Sequence, residues 1–130
     1  MPIEVTRIEE GIYHYQWLGN VTVEEGRDAG IRGAAMADKL GENPHIQILD
    51  AENVKKLPVD IRGLGSVGAE QAGVSIQILV IHAPAIGRII VNTLKSLVPF
   101  LRNMEFCTDM DEALAKARTT LSEYKASLDS

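Results

Sequence analysis

The segment Ile76-Gln77-Ile78-Leu79-Val80-Ile81 limits the possible folds more than any other part of the chain. It is short, β-branched and apolar on both alternating faces, so it suits a strand with no side turned to water. Such a strand belongs inside a sheet covered above and below, which in practice means parallel strands with helices on both faces. His45 to Ala51 (HIQILDA) reads as a second buried strand, and Glu105-Phe106-Cys107 as a short third.

The remaining elements follow from local patterns. Ile3 to Glu9 and Ile12 to Leu18 are strands joined by the short turn Glu10-Gly11, which makes them an antiparallel hairpin. The second strand alternates, with Tyr13, Tyr15 and Trp17 on one face and Ile12, His14, Gln16 and Leu18 on the other. Thr22-Val23-Glu24-Glu25 is a capping box, and the helix it opens runs to about Leu40 and stops at Gly41. Gly26, Gly30 and Gly33 weaken that helix by roughly 1 kcal/mol each against alanine. Small residues at this spacing imply a backbone pressed close against a neighbour. From Glu52 to Gly73, Pro58 and four glycines predict a loop, with at best a short helix around Leu64 to Gln71. Pro84 opens a long helix over Ala85 to Leu101, which Pro99 ends or kinks. Thr108 or Asp109 caps a final helix with the stripe Met110, Ala113, Leu114, Ala117, Leu121, Tyr124 and Leu128. The order β-β-α-β-α-β-α-β-α predicts one α/β domain over residues 1–130, a mixed, mainly parallel sheet of about five strands with helices packed on it.

Composition removes several functions. With 130 residues, 45% hydrophobic and 24% charged, the chain has the makings of one globular domain. A net charge of -5 argues against nucleic acid as a partner, because phosphate binding needs a basic face. The single cysteine excludes a disulfide framework and any multi-cysteine metal site. His14, His45 and His82 share no metal-ligand spacing, so neither a metal nor a cofactor is expected. The most apolar stretch, Val74 to Val91, contains Gln77, His82, Pro84 and Arg88 and is too polar for a membrane span. Met1-Pro2-Ile3-Glu4-Val5 has no targeting pattern, and a cytoplasmic protein is expected.

The chain resembles a STAS-type domain, in particular the SpoIIAA-like group related to bacterial anti-sigma-factor antagonists. The resemblance spans nearly the whole chain. It rests on Trp17-Leu18-Gly19, Val21-Thr22-Val23-Glu24-Glu25, Ile48-Leu49-Asp50, and Phe106-Cys107-Thr108-Asp109-Met110-Asp111-Glu112-Ala113-Leu114. It implies a regulatory Asp-Ser-Ser-Gly-Leu-Gly loop with a phosphorylated serine. The matching residues here are Asp60-Ile61-Arg62-Gly63-Leu64-Gly65. Ile61 and Arg62 stand at the two serine positions, and Ser66 lies beyond the glycines, so the resemblance implies a member without the phosphoryl switch.

The candidate sites lie at the carboxyl ends of the parallel strands, where open sheets bind ligands. Asp50 and His82 occupy such ends, Arg62 and Gly63 lie in a Gly-rich loop, and Arg88 lies in the first turn of a helix. Together these five are expected to hold an anion; the plainer reading has Asp50 capping backbone amides and the arginines solvated. His82 beside Asp50 or Asp60 also has the makings of a general base. Cys107, just before a helix N-terminus, is either activated there or buried and inert. The tyrosine and tryptophan face either packs under a helix or meets a partner. In the helix from Ala85, the stripe Ile86, Ile90, Thr93, Leu94, Leu97 and Leu101 suffices to cover the sheet. Ile89, Val91, Val98 and Phe100 fall outside it, so a neighbouring helix, a second subunit or an apolar pocket is expected there. The reading that follows is a non-catalytic STAS-like regulatory or protein-interaction module, a homodimer. The alternatives are a carrier of a small apolar or anionic ligand and, third, a small enzyme using His82 and Asp50.

Overall fold

The computed structural model describes residues 3–56, 75–94 and 103–129. Its elements are β1 (Ile3–Glu9), β2 (Ile12–Asn20), α1 (Val23–Lys39), β3 (His45–Lys56), β4 (Ser75–Ile81), α2 (Ala85–Leu94), β5 (Met104–Cys107) and α3 (Met110–Leu128). The strands form one five-stranded sheet in the order β1-β2-β3-β4-β5. β1 and β2 pair antiparallel, and every later neighbour pairs parallel. This is the mixed, mainly parallel α/β sheet that the patterning implies.

Alternation sorts the side chains into two cores. On one face Ile12, Ile46, Ile48, Leu79, Ile81 and Cys107 pack with Ala113 and Ala117 of α3. On the other, Ile3, Tyr13 and Tyr15 pack with Val21 and with Ala29 and Ala37 of α1. The aromatic face of β2 is therefore a buried one, under a helix. The glycine spacing in α1 has its reason here: a Cβ on Gly33 would sit 1.7 Å from the Tyr15 hydroxyl oxygen.

Both long helices are capped as their sequences suggest. Thr22 accepts from the Glu25 amide while Glu25 accepts from the Thr22 amide. Asp109, not Thr108, caps α3 and accepts from the Glu112 amide at 2.9 Å. Leu128 departs from the expected stripe, being 65% exposed. A helix of 19 residues is about 28 Å long, whereas a strand of 7 spans about 23 Å, so α3 overruns the sheet it covers.

The expected loop from Glu52 also begins later than the sequence suggests. β3 continues to Lys56, because β2 continues beside it: Leu18 pairs with Asn53, Gly19 with Val54 and Asn20 with Lys56. Backbone hydrogen bonds extend both strands where no apolar alternation marks them. The possible helix at Leu64 to Gln71 lies outside the described residues, as does the expected continuation of α2 through Leu101.

A polar tether ties the hairpin to the segment between α1 and β3. The Glu42 carboxylate, 7% exposed, accepts from Arg7 Nε (3.0 Å) and Nη2 (2.7 Å), from the Gly11 amide (3.0 Å) and from the Tyr13 hydroxyl (2.8 Å). The Arg7 guanidinium, helped by the Gly11 and Tyr13 donors, outweighs burial and holds this carboxyl down at about 2. His45 is fully buried between the Tyr15 hydroxyl (3.0 Å) and Asn43 Oδ1 (2.8 Å). Burial lowers its pKa to about 4, so it packs as a neutral imidazole.

Two outcomes follow. Gly33→Ala lowers stability in urea denaturation by about 2 kcal/mol, the clash with Tyr15 outweighing the roughly 1 kcal/mol gain in helix propensity. In a Tyr15→Phe background the added loss is smaller, because the nearest atom is gone. Stability also declines in acid in two stages. A neutral His45 contributes fully above pH 6.5, and its share is lost as pH falls from 6.5 towards 4. The Glu42 share is full above pH 4.5 and is lost as pH falls towards 2. Urea midpoints across this range show both declines in the parent, and Glu42→Gln shrinks only the lower one, to which Asp50, also held below its ordinary value, contributes as well.

Candidate functional site

β3 runs on to Lys56, so Asp50 lies within the strand and not at the carboxyl end expected for it; it pairs in register with Ile81, where β4 ends. His82 is the next residue, and its φ of 58° turns the chain sharply away from the sheet. Only glycine adopts that conformation without cost; for other residues it stores about 1–2 kcal/mol. On the other side of β3, Gln16 pairs with Asp50 and His14 with Ile48. Ile46 and Ile48 face α3, so period two points Asp50 to that same face, at the end of the apolar row. Gln16 and His14 share the face, and Gln16 Nε2 is buried without a hydrogen-bond partner among the described residues.

Asp50 is the centre of the cluster. Its side chain is 8% exposed, and its oxygens are shared between two imidazoles. Oδ1 lies 3.0 Å from His82 Nδ1 and accepts from the Glu52 amide at 3.0 Å. Oδ2 lies 3.3 Å from His14 Nε2. Glu52 Oε2 is 3.8 Å from His82 Nδ1. Burial pushes the Asp50 carboxyl up, but the hydrogen bonds from His82, the Glu52 amide and His14 together hold it below its ordinary value. The hydrogen bond to Asp50 raises His82, with the Asp50, Glu52 and Asp109 charges adding to it against burial. One oxygen of Asp50, one of Glu52 and one nitrogen of His82 lie within 4.8 Å of one another, so these three residues have the reach to hold a metal ion.

The sequence-predicted pair Asp50 and His82 is thus brought into contact. Arg62 and Gly63, the loop half of the expected anion site, lie outside the described residues. Arg88 is exposed in the first turn of α2. The described members of that site, Asp50, His82 and Arg88, carry one carboxylate, and Glu52, which was not expected there, adds a second beside His82. Cys107 is buried at the end of β5, and burial raises its thiol pKa, the opposite of activation at a helix N-terminus. Ile89 is 65% exposed, so no described element covers it. Val91 lies in α2 but its side chain is not among those described, and Val98 and Phe100 fall outside the described residues.

Sequence reasoning passed over His14 and Glu52. The alternation in β2 set His14 and Gln16 on one face, which was the available signal. Their nearness to Asp50 depends on the pairing of β2 with β3, which no pattern within either strand specifies. A hollow of about 320 Å³ lies elsewhere, between the first hairpin and α3. Ile12 and Leu121 line it together with the Arg118–Glu9 and Lys125–Glu10 ion pairs.

No family model matches the chain, and no curated protein matches it. Solved structures resemble it, and two of them are these. One is the Bacillus cell fate determinant SpoIIAA in its phosphorylated form, at 12% identity and a TM-score of 0.56, covering 88% of this chain and 97% of that one. The other is an uncharacterised protein of the DUF3478 family from Shewanella loihica PV-4, described as having a SpoIIAA-like fold. It is 13% identical with a TM-score of 0.59, covering 88% of this chain and 91% of that one. The five-stranded sheet with its N-terminal hairpin is therefore a SpoIIAA-like α/β fold.

Proposed function

We propose that the protein is a non-catalytic regulatory module of the STAS type, which acts by binding another protein and lacks a phosphoacceptor serine. The observation that carries this reading is the SpoIIAA-like fold in a chain whose corresponding loop is Asp60-Ile61-Arg62-Gly63-Leu64-Gly65. The Bacillus relative was solved phosphorylated. Here isoleucine and arginine stand where the resemblance places the serines, and neither side chain has a hydroxyl for a serine kinase to phosphorylate. Residues 60–65 follow β3 in the chain, and the binding surface in this reading includes the end of β4 at His82 with Asp50 beside it. A cytoplasmic homodimer belongs to the same reading. Ile89 on α2 is 65% exposed in the single chain, and covering such a side chain contributes about 1.5–3 kcal/mol.

Incubation with serine kinases of the anti-sigma class, followed by peptide mass spectrometry, tests the first part. No phosphate is expected within residues 60–66; stoichiometric modification there would reverse the reading. Light scattering tests the second. A mass of twice 14.2 kDa is expected, falling to 14.2 kDa in Ile89→Glu, and a parent protein at 14.2 kDa removes the dimer.

A further inference from the structure

We propose that the carboxyl end of β4 and the stretch of β3 beside it hold a divalent metal ion of zinc's chemistry, bound by His82, Asp50 and Glu52. The donor atoms are already gathered. His82 Nδ1 lies 3.0 Å from Asp50 Oδ1 and 3.8 Å from Glu52 Oε2, and all three fall within 4.8 Å of one another. Zinc bonds to nitrogen and carboxylate oxygen are about 2.0–2.2 Å long, which sets tetrahedral ligand atoms about 3.3–3.6 Å apart. The observed separations bracket that spacing, so small rotations of Glu52 and His82 complete the site.

The donors differ in a way that suits this use. Asp50 is buried and fixed by the Glu52 amide on the oxygen that faces the ion. Its other oxygen is engaged by His14 Nε2 at 3.3 Å, so His14 orients the carboxylate from outside the ligand set. His82 and Glu52 are 36% and 64% exposed, which leaves a path for the ion and room for water in the remaining position. Two carboxylates and a neutral imidazole balance a dication. The imidazole favours zinc and its neighbours over magnesium and calcium, which prefer oxygen alone. The left-handed backbone at His82 places its ring over Asp50 instead of continuing β4. This site does not depend on the regulatory reading, and either stands if the other fails.

The test is equilibrium dialysis of the full chain against zinc chloride alone, with magnesium chloride as the comparison. One zinc per chain is expected, with no saturable uptake of magnesium. Glu52→Gln changes an exposed side chain and leaves the core untouched, so it separates binding from folding; it is expected to weaken zinc more than about tenfold, as is His82→Ala. His14→Phe is expected to weaken it less than either. In NMR of the parent, zinc shifts the imidazole resonances of His82 and leaves those of the buried His45 in place. No saturable zinc uptake by the parent would overturn the proposal. So would unchanged affinity in folded Glu52→Gln and His82→Ala proteins.

Discussion

Strand β3 is hydrogen-bonded on both edges, and its register with β2 and β4 is the constraint from which the rest of the structure follows. Parallel pairing on both sides commits its faces to opposite helices. Ile46 and Ile48 go to the α3 core, while Leu49 packs against the α1 core. A slip of one residue would send the isoleucines to the wrong layer and turn Asp50 away from His14 and His82. The apolar pattern that builds the core therefore also aims the polar cluster at the end of β4.

The two sides of the sheet are held by different means. On the α3 side, alanines at Ala113 and Ala117 let the helix lie flat on branched aliphatic side chains. On the α1 side the sheet presents tyrosines, and the helix backbone must approach their rings. Gly33 allows that approach, and the Tyr15 hydroxyl brought inside by it is satisfied by His45. A buried polar atom without a partner costs about 1–3 kcal/mol, so a neutral His45 is part of the packing and not a spare ligand. Glu42 has the same standing. Its carboxylate is fully occupied by Arg7, Gly11 and Tyr13, which fasten the edge hairpin to the turn before β3.

The cluster at Asp50 is built differently. Its groups are also hydrogen-bonded, but His82 and Glu52 face solvent and His82 sits in a strained backbone conformation. Strain of this kind persists only where surrounding contacts fix it. Here the hydrogen bond to Asp50 supplies part of that fixing. Glu42 and Asp50 are both buried carboxylates with several donors, yet one is sealed in a structural tether and the other opens to the outside.

The sequence by itself determined the α/β class, the hairpin and both capped helices, because periodicity, capping residues and Gly or Pro act over a few residues. It also set His82 just past the end of a strand, whereas Asp50, expected at a strand end, lies within β3. It did not reveal the reach of β3 to Lys56, because Glu52-Asn53 carries no apolar alternation and the pairing with Leu18 to Asn20 is what extends the strand. Nor did it mark His14 and Glu52 as neighbours of Asp50, or the exposure of Leu128. Those were decided only in the tertiary structure, because they depend on register between strands and on the relative lengths of helix and sheet, and both are relations between segments far apart in the chain.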